Sequence, residues 1–163
     1  DCVMLSGESA LGAFPVESVA MLARIATEIE PTRKQFSVGE MYAGADLRGR
    51  LLPAHLVLVS IEASVQYLKP AAVFARTRDG NSARRLAAFR LPVWTVAVSD
   101  DVRTAQQLLF SCGVQPVHLQ RPPASWNAWV REWLGAHELP GDFAVLTQRT
   151  EEEGNHRVDF IDL

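Results

Sequence analysis

Three segments constrain the fold of this chain more than any other feature. Residues 71–76, 93–98 and 114–119 are apolar at nearly every position. A strand with one wet face alternates apolar and polar residues, whereas a strand apolar throughout is covered on both faces. Helical periodicity occupies the gaps, at 82–89 and 101–110, so the strands run parallel with crossover helices packed on the sheet. A helix over 53–68 precedes the first strand, and one over 125–136 follows the third. Two further strands, 143–148 and 157–161, close the chain. The segment between them, residues 149–155, is polar and carries Gly154 and Asn155, which predicts an antiparallel hairpin. The expected fold is α/β with three layers: a five-stranded, mostly parallel sheet with an antiparallel edge strand.

Composition excludes some functions. At 163 residues and 48% apolar content the chain supports one packed domain plus a shorter piece. A net charge of −3 argues against nucleic acid and anionic membrane surfaces. The greasiest run, residues 55–61, ends at Glu62, far short of a bilayer span. Cys2 and Cys112 stand alone, which suits a reducing cytoplasm. His55, His118, His137 and His156 are scattered without metal-ligand spacing. The chain begins at Asp1 rather than Met, as expected of a piece cut from a longer protein.

The first 34 residues read differently from the rest. Residues 2–5 suit a strand stub. Pro15 fits the first position of a helix, where its missing N–H costs nothing, and Glu17 suits the positive helix end. Val16, Val19, Ala23, Ala26 and Ile29 then give one apolar face, and Pro31 marks the stop. Residues 35–51 hold three glycines and no clean period, so they read as a linker. The α/β domain occupies 52–163.

One loop stands out chemically. Thr77-Arg78-Asp79-Gly80-Asn81-Ser82 joins a strand to a helix through a glycine turn. Free backbone N–H groups and the helix dipole converge at such a junction and make a ready anion site, to which Thr77 and Ser82 add hydroxyls. Asp79 opposes this, because its carboxylate repels a phosphate and can cap the helix itself. Arg78, Arg84 and Arg85 add positive charge, or simply form a solvated face. Ser6 and Glu8 read as ordinary helix-entry residues as well as a hydroxyl–carboxylate pair. Trp126, Trp129 and Trp133 recur at helical spacing and predict a packed aromatic stripe.

Several of these segments carry a resemblance. Residues 1–10, Asp-Cys-Val-Met-Leu-Ser-Gly-Glu-Ser-Ala, resemble the D-x-V-M-L-S-x-E-[ST]-A strand near the close of the pyruvate kinase catalytic barrel. Gly12-Ala13-Phe14-Pro15-Val16-Glu17-Ser18-Val19 resembles the helix start that follows it. Residues 77–86 and Phe89-Arg90-Leu91-Pro92 are similar to the T-x-S-G-x-[ST]-A and [FY]-R-P motifs of that family's C-terminal domain. Residues 104–117 are similar to its T-A-R-x-L-x-L-x-x-G-V-x-P-V stretch. The resemblance implies the C-terminal portion of a pyruvate kinase, with 1–34 as the remnant of the last strand and helix of a TIM barrel.

Further expectations follow from the resemblance alone. The parent transfers phosphate from phosphoenolpyruvate to ADP in glycolysis, using Mg2+ and K+ held on earlier barrel strands. A barrel of that type takes about 250 residues, so this piece is not catalytic in isolation. Ser6 becomes a hydroxyl relay near the substrate, oriented by Glu8. Thr77, Gly80, Asn81, Ser82 and Trp126 become the binding site of a phosphorylated effector, although Asp79 replaces the usual serine. The glycine-rich loop expected over that effector reads Glu151-Glu152-Glu153-Gly154, and three carboxylates disfavour an anion. The domain's role is regulatory and architectural, within a cytoplasmic homotetramer. The rival reading is a stand-alone module of the same fold that binds a small anion or a protein partner.

Overall fold

The structure, a computed structural model, describes residues 2–32, 53–149 and 155–163. The linker expected at 35–51 and the acidic tip at 151–154 lie outside the described residues. The chain divides into two compact units, Asp1–Gln35 and Phe36–Leu163.

The first unit holds a four-residue helix α1 (Gly7–Ala10), a long helix α2 (Pro15–Ile29) and a 3-10 turn (Glu30–Thr32). Pro15 sits at the start of α2 as its chemistry requires. No residue of α2 is buried, so its apolar stripe is unpacked within this unit. The strand stub expected at 2–5 is corrected: these residues form no strand. A strand exists only beside a hydrogen-bonded neighbour, and none lies there among the described residues.

In the second unit, α3 (Pro53–Leu68) leads into β1 (Val73–Arg76), α4 (Asn81–Ala88), β2 (Thr95–Ser99) and α5 (Val102–Leu108). There follow β3 (Val114–His118), α6 (Trp126–Ala136), β4 (Phe143–Arg149) and β5 (His156–Asp162). The sheet order is β3-β2-β1-β4-β5. β1 pairs in parallel with β2 and β4, β2 in parallel with β3, and β5 lies antiparallel to β4. This is the expected five-stranded α/β sheet with an antiparallel edge. Strand and helix ends shift by one or two residues. Asp101 and Ser125, expected inside their helices, are the N-caps instead. β1 starts at Val73 because that is where its ladder with Thr95 begins.

Alternation along the strands builds the layers. Val73, Ala75 and Val145 meet Leu58, Ile61 and Val65 of α3 and Leu86 of α4 on one face. Ala97 and Val114 pack with Ala83 of α4 and Leu108 of α5. On the other face Phe74, Val96, Val98 and Leu146 meet Val130 and Leu134 of α6. Trp126, Trp129 and Trp133 pack against that second face, so the aromatic stripe belongs to the core.

The end of α6 carries a correctable defect. Leu139 N–H donates to the Leu134 carbonyl at 3.2 Å, and Glu138 N–H donates to Gly135 at 3.2 Å. Leu134 and Leu139 both join the second core face. This is a Schellman termination, which places Glu138 in the left-handed region (φ 53°) where glycine is preferred. Glu138→Gly is therefore expected to raise stability by about 0.5–1 kcal/mol, read as a higher urea midpoint at unchanged slope.

Candidate functional site

In open α/β sheets, ligands bind outside the carboxyl ends of the strands, where the strand order reverses. Here the chain moves from β1 outward to β2 and β3, then returns to β4 on the other side of β1. A cleft of about 770 Å³ opens there, lined by Arg76 and Thr77 after β1, Ser99 and Asp100 after β2, and Thr147 of β4. Asn81 and Ser82 line it from the start of α4, and Trp126 from the start of α6. The structure thus brings Thr77, Asn81, Ser82 and Trp126 to one cleft, with Gly80 buried beside them.

The loop after β1 is held by its own side chains. The buried Thr77 hydroxyl accepts the Gly80 N–H at 2.9 Å. Gly80 has φ 78°, the left-handed region that favours glycine, and a Cβ there would also push aside the Arg84 guanidinium, 2.8 Å away. Asp79 Oδ1 accepts the Asn81 N–H at 3.0 Å, and the Asn81 side-chain amide donates to Asp79 Oδ2. Arg84 donates to the Asp79 carbonyl at 2.9 Å and reaches Gln107 at 3.4 Å. Of the three arginines noted in the sequence, Arg84 therefore props the loop, whereas Arg78 and Arg85 line the cleft. The first helical N–H groups divide likewise: those of Gly80 and Asn81 are taken, and those of Ser82 and Ala83 meet no acceptor among the described residues.

The neighbouring helix start braces the loop from behind. Asp101 caps α5, accepting the Thr104 N–H at 3.0 Å and the Thr104 hydroxyl at 2.7 Å. The same hydroxyl lies 3.1 Å from the Arg78 carbonyl, so its one proton serves either acceptor. Hydrogen bonds from the Thr104 hydroxyl, then the Thr104 N–H, hold the Asp101 carboxyl below its ordinary range. The Asn81 N–H does the same, foremost, for Asp79. A depressed folded pKa gives stability that is present above the unfolded value and lost as pH falls through the folded one. The melting-point gap between the unmodified chain and Asp101→Ala should thus shrink as pH drops from about 5 to about 2. Melts across that range check this, and a constant gap would contradict it.

Periodicity missed Arg76, Asp100, Thr147 and His156, which also line the cleft. The available signal was position, since Arg76 and Asp100 stand at the carboxyl ends of strands. Arg76 lies with its guanidinium carbon 6.0 Å from the Trp126 ring centre, a cation–π distance. In the first unit, Glu8 Oε2 accepts both the Ser6 N–H, at 3.0 Å, and the Ser6 hydroxyl, at 3.3 Å. The Glu8 backbone N–H first, and then the Ser6 bonds, hold the Glu8 carboxyl below its ordinary range.

Comparison with known proteins agrees with this architecture. The family model described as "Pyruvate kinase, alpha/beta domain" matches residues 56–162. Pyruvate kinase 2 of Synechocystis sp. is 32% identical over 154 residues, which is 92% of this chain and 25% of that protein. Pyruvate kinase PKLR of Rattus norvegicus is 35% identical over 127 residues, 77% of this chain and 22% of that protein. A pyruvate kinase of Thermococcus litoralis is 33% identical over 117 residues, 71% of this chain and 25% of that protein. The chain spans about a quarter of the length of these curated relatives. With the match over 56–162 falling on the five-stranded sheet and its helices, this chain belongs to the pyruvate kinase family, of which it carries the C-terminal portion.

Proposed function

We propose that this chain is the regulatory and assembly part of a pyruvate kinase, and that its cleft is where a small anionic effector binds. The whole protein then moves a phosphoryl group from phosphoenolpyruvate to ADP, as a cytoplasmic homotetramer. The observation that carries this reading is the cleft itself. It opens at the switch point of the family's α/β domain, and Arg78 and Arg85 line it without an ion-pair partner among the described residues. Thr77, Gly80, Asn81 and Ser82 shape its floor, and Trp126 supplies a wall. Such a site binds and positions a ligand, and its occupancy reaches the reacting centre through the rest of the protein.

Phosphoryl transfer itself needs a cationic clamp around the moving group. Mg2+ and K+ belong to that clamp in the family. Among the described residues no three of His, Cys, Asp and Glu converge on one site. What this chain offers the reacting centre is the Ser6–Glu8 pair. A carboxylate that accepts both the N–H and the hydroxyl of Ser6 supports a role for Glu8 in orienting that hydroxyl as a proton relay.

The test is phosphoenolpyruvate-dependent ATP formation by the native gene product, assayed with ADP, Mg2+ and K+. ATP production is the expected result. A soluble, folded product that makes none would overturn the reading.

A further inference from the structure

We propose that the cleft takes an amphipathic ligand with a single negative charge, an aryl or branched monocarboxylate, in preference to a phosphate ester. This rests on the reading of the cleft as an effector site and narrows the chemistry that it accepts.

Charge is the first argument. Arg76, Arg78 and Arg85 line the cleft, against Asp79 and Asp100, while Arg84 behind the loop is engaged with Asp79. Three against two leaves one net positive charge. A phosphate ester carries close to two negative charges at neutral pH, and here it would also meet two carboxylates. A monocarboxylate balances the site and suits the paired donors of a guanidinium.

The helix end is the second argument. A phosphate bound there would draw on the first N–H groups of α4. Thr77 has already taken the Gly80 N–H and Asp79 the Asn81 N–H, so only those of Ser82 and Ala83 remain. Asp79 thus stands as a tethered anion beside the two N–H groups that remain.

The walls are the third. Val57, Leu58 and Ile61 of α3 and Leu86 of α4 form one side. Leu119, Pro122 and Trp126 supply further apolar lining. Sugar hydroxyls pressed against such walls would lose water without gaining partners, whereas an aryl or branched body buries apolar surface. Thr147, only 6% exposed, also lines the cleft and offers a hydroxyl there. A cleft of about 770 Å³ is ample for such a ligand.

Calorimetric titration of the whole chain tests this with three probes: 3-phenylpropionate, inorganic phosphate and glucose 6-phosphate. We expect 3-phenylpropionate to saturate one site and to bind at least tenfold more weakly to Arg85→Gln, a change on an exposed helix face. Neither phosphate probe should saturate over the same range. Asp79→Asn keeps an acceptor for the Asn81 N–H but removes the charge, and should raise phosphate affinity at least tenfold. Circular dichroism confirms that both variants fold. Tighter binding of either phosphate probe than of 3-phenylpropionate overturns the ligand class and leaves the cleft an effector site. Binding of 3-phenylpropionate that ignores both Arg85→Gln and Trp126→Leu places it elsewhere and overturns the proposal. Saturation by none of the probes overturns the proposal and the effector reading together. Loss of the kinase reading alone shows in the ATP assay, independently of these titrations.

Discussion

Phe74→Ala is expected to destabilise the α/β unit by about 3–5 kcal/mol. Phe74 is fully buried on β1, the middle strand of the sheet. Its neighbours across the ladders are Val96 on β2 and Leu146 on β4. Its ring meets Trp129 edge-on at 5.9 Å and Trp133 at 5.5 Å, so it joins the sheet to α6. Truncation removes the ring's burial, opens a cavity that two indoles cannot collapse into, and forfeits both edge contacts. Domains of this size hold about 5–15 kcal/mol in total, so the variant should sit near its unfolding threshold at room temperature. Urea melts followed by tryptophan fluorescence check this. A loss below about 1 kcal/mol would mean that the α6 layer is not packed as described.

Leu86→Ala carries the second large effect, about 2–5 kcal/mol, and it reaches the cleft directly. α4 is eight residues long, too short to hold itself together in water. Only Ala83 and Leu86 of that helix are buried. Leu86 packs among Leu58, Ile61, Val73 and Phe89 and also lines the cleft. Without it the helix loses its main anchor, and the Thr77–Ser82 turn loses the element that fixes it. Hydrogen exchange should then show α4 amides opening more readily than those of β1 and β2. Equal protection of α4 before and after the change would contradict this dependence.

Much of the fold was readable because its physics is local. Runs apolar at nearly every residue announced strands covered on both faces, and β1 and β2 are such strands. β3 corrects the expectation: it lies at the sheet edge, buries only Val114 and leaves Gln115 and His118 exposed, as a strand paired on one side allows. The helix expected at 53–68 forms with those bounds, since its apolar residues repeat at helical spacing. Asp79 read as a residue able to cap the following helix, but the N-cap is Gly80, and the Asp79 carboxylate instead accepts the Asn81 N–H two residues on, in a turn ahead of the helix. The remainder depends on which strand ends become neighbours. Arg76 lies some seventy residues before Thr147 and His156, and shares a cleft with them only because β4 returns beside β1. Periodicity identifies each strand but carries no information on its place in the sheet. Arg84 shows the same limit, for an arginine on an exposed helix face gives no sign that it will prop a loop carbonyl instead of facing a ligand. Residues 2–5 failed as a strand for the converse reason: apolar composition offers a strand, but only a neighbour makes one.

The proposed regulation of a pyruvate kinase through the cleft can be put to trial on the whole protein. The most direct measurement is the dependence of ATP formation on phosphoenolpyruvate by the native gene product, with and without Arg78→Gln and Arg85→Gln together. Both side chains lie on the exposed rim of the cleft. A regulatory site shifts the affinity of the working site rather than its chemistry. The double variant should show a several-fold change in half-saturation by phosphoenolpyruvate, with kcat preserved within about twofold. An unmodified protein that forms no ATP, or a double variant identical to it in both parameters, would contradict the account.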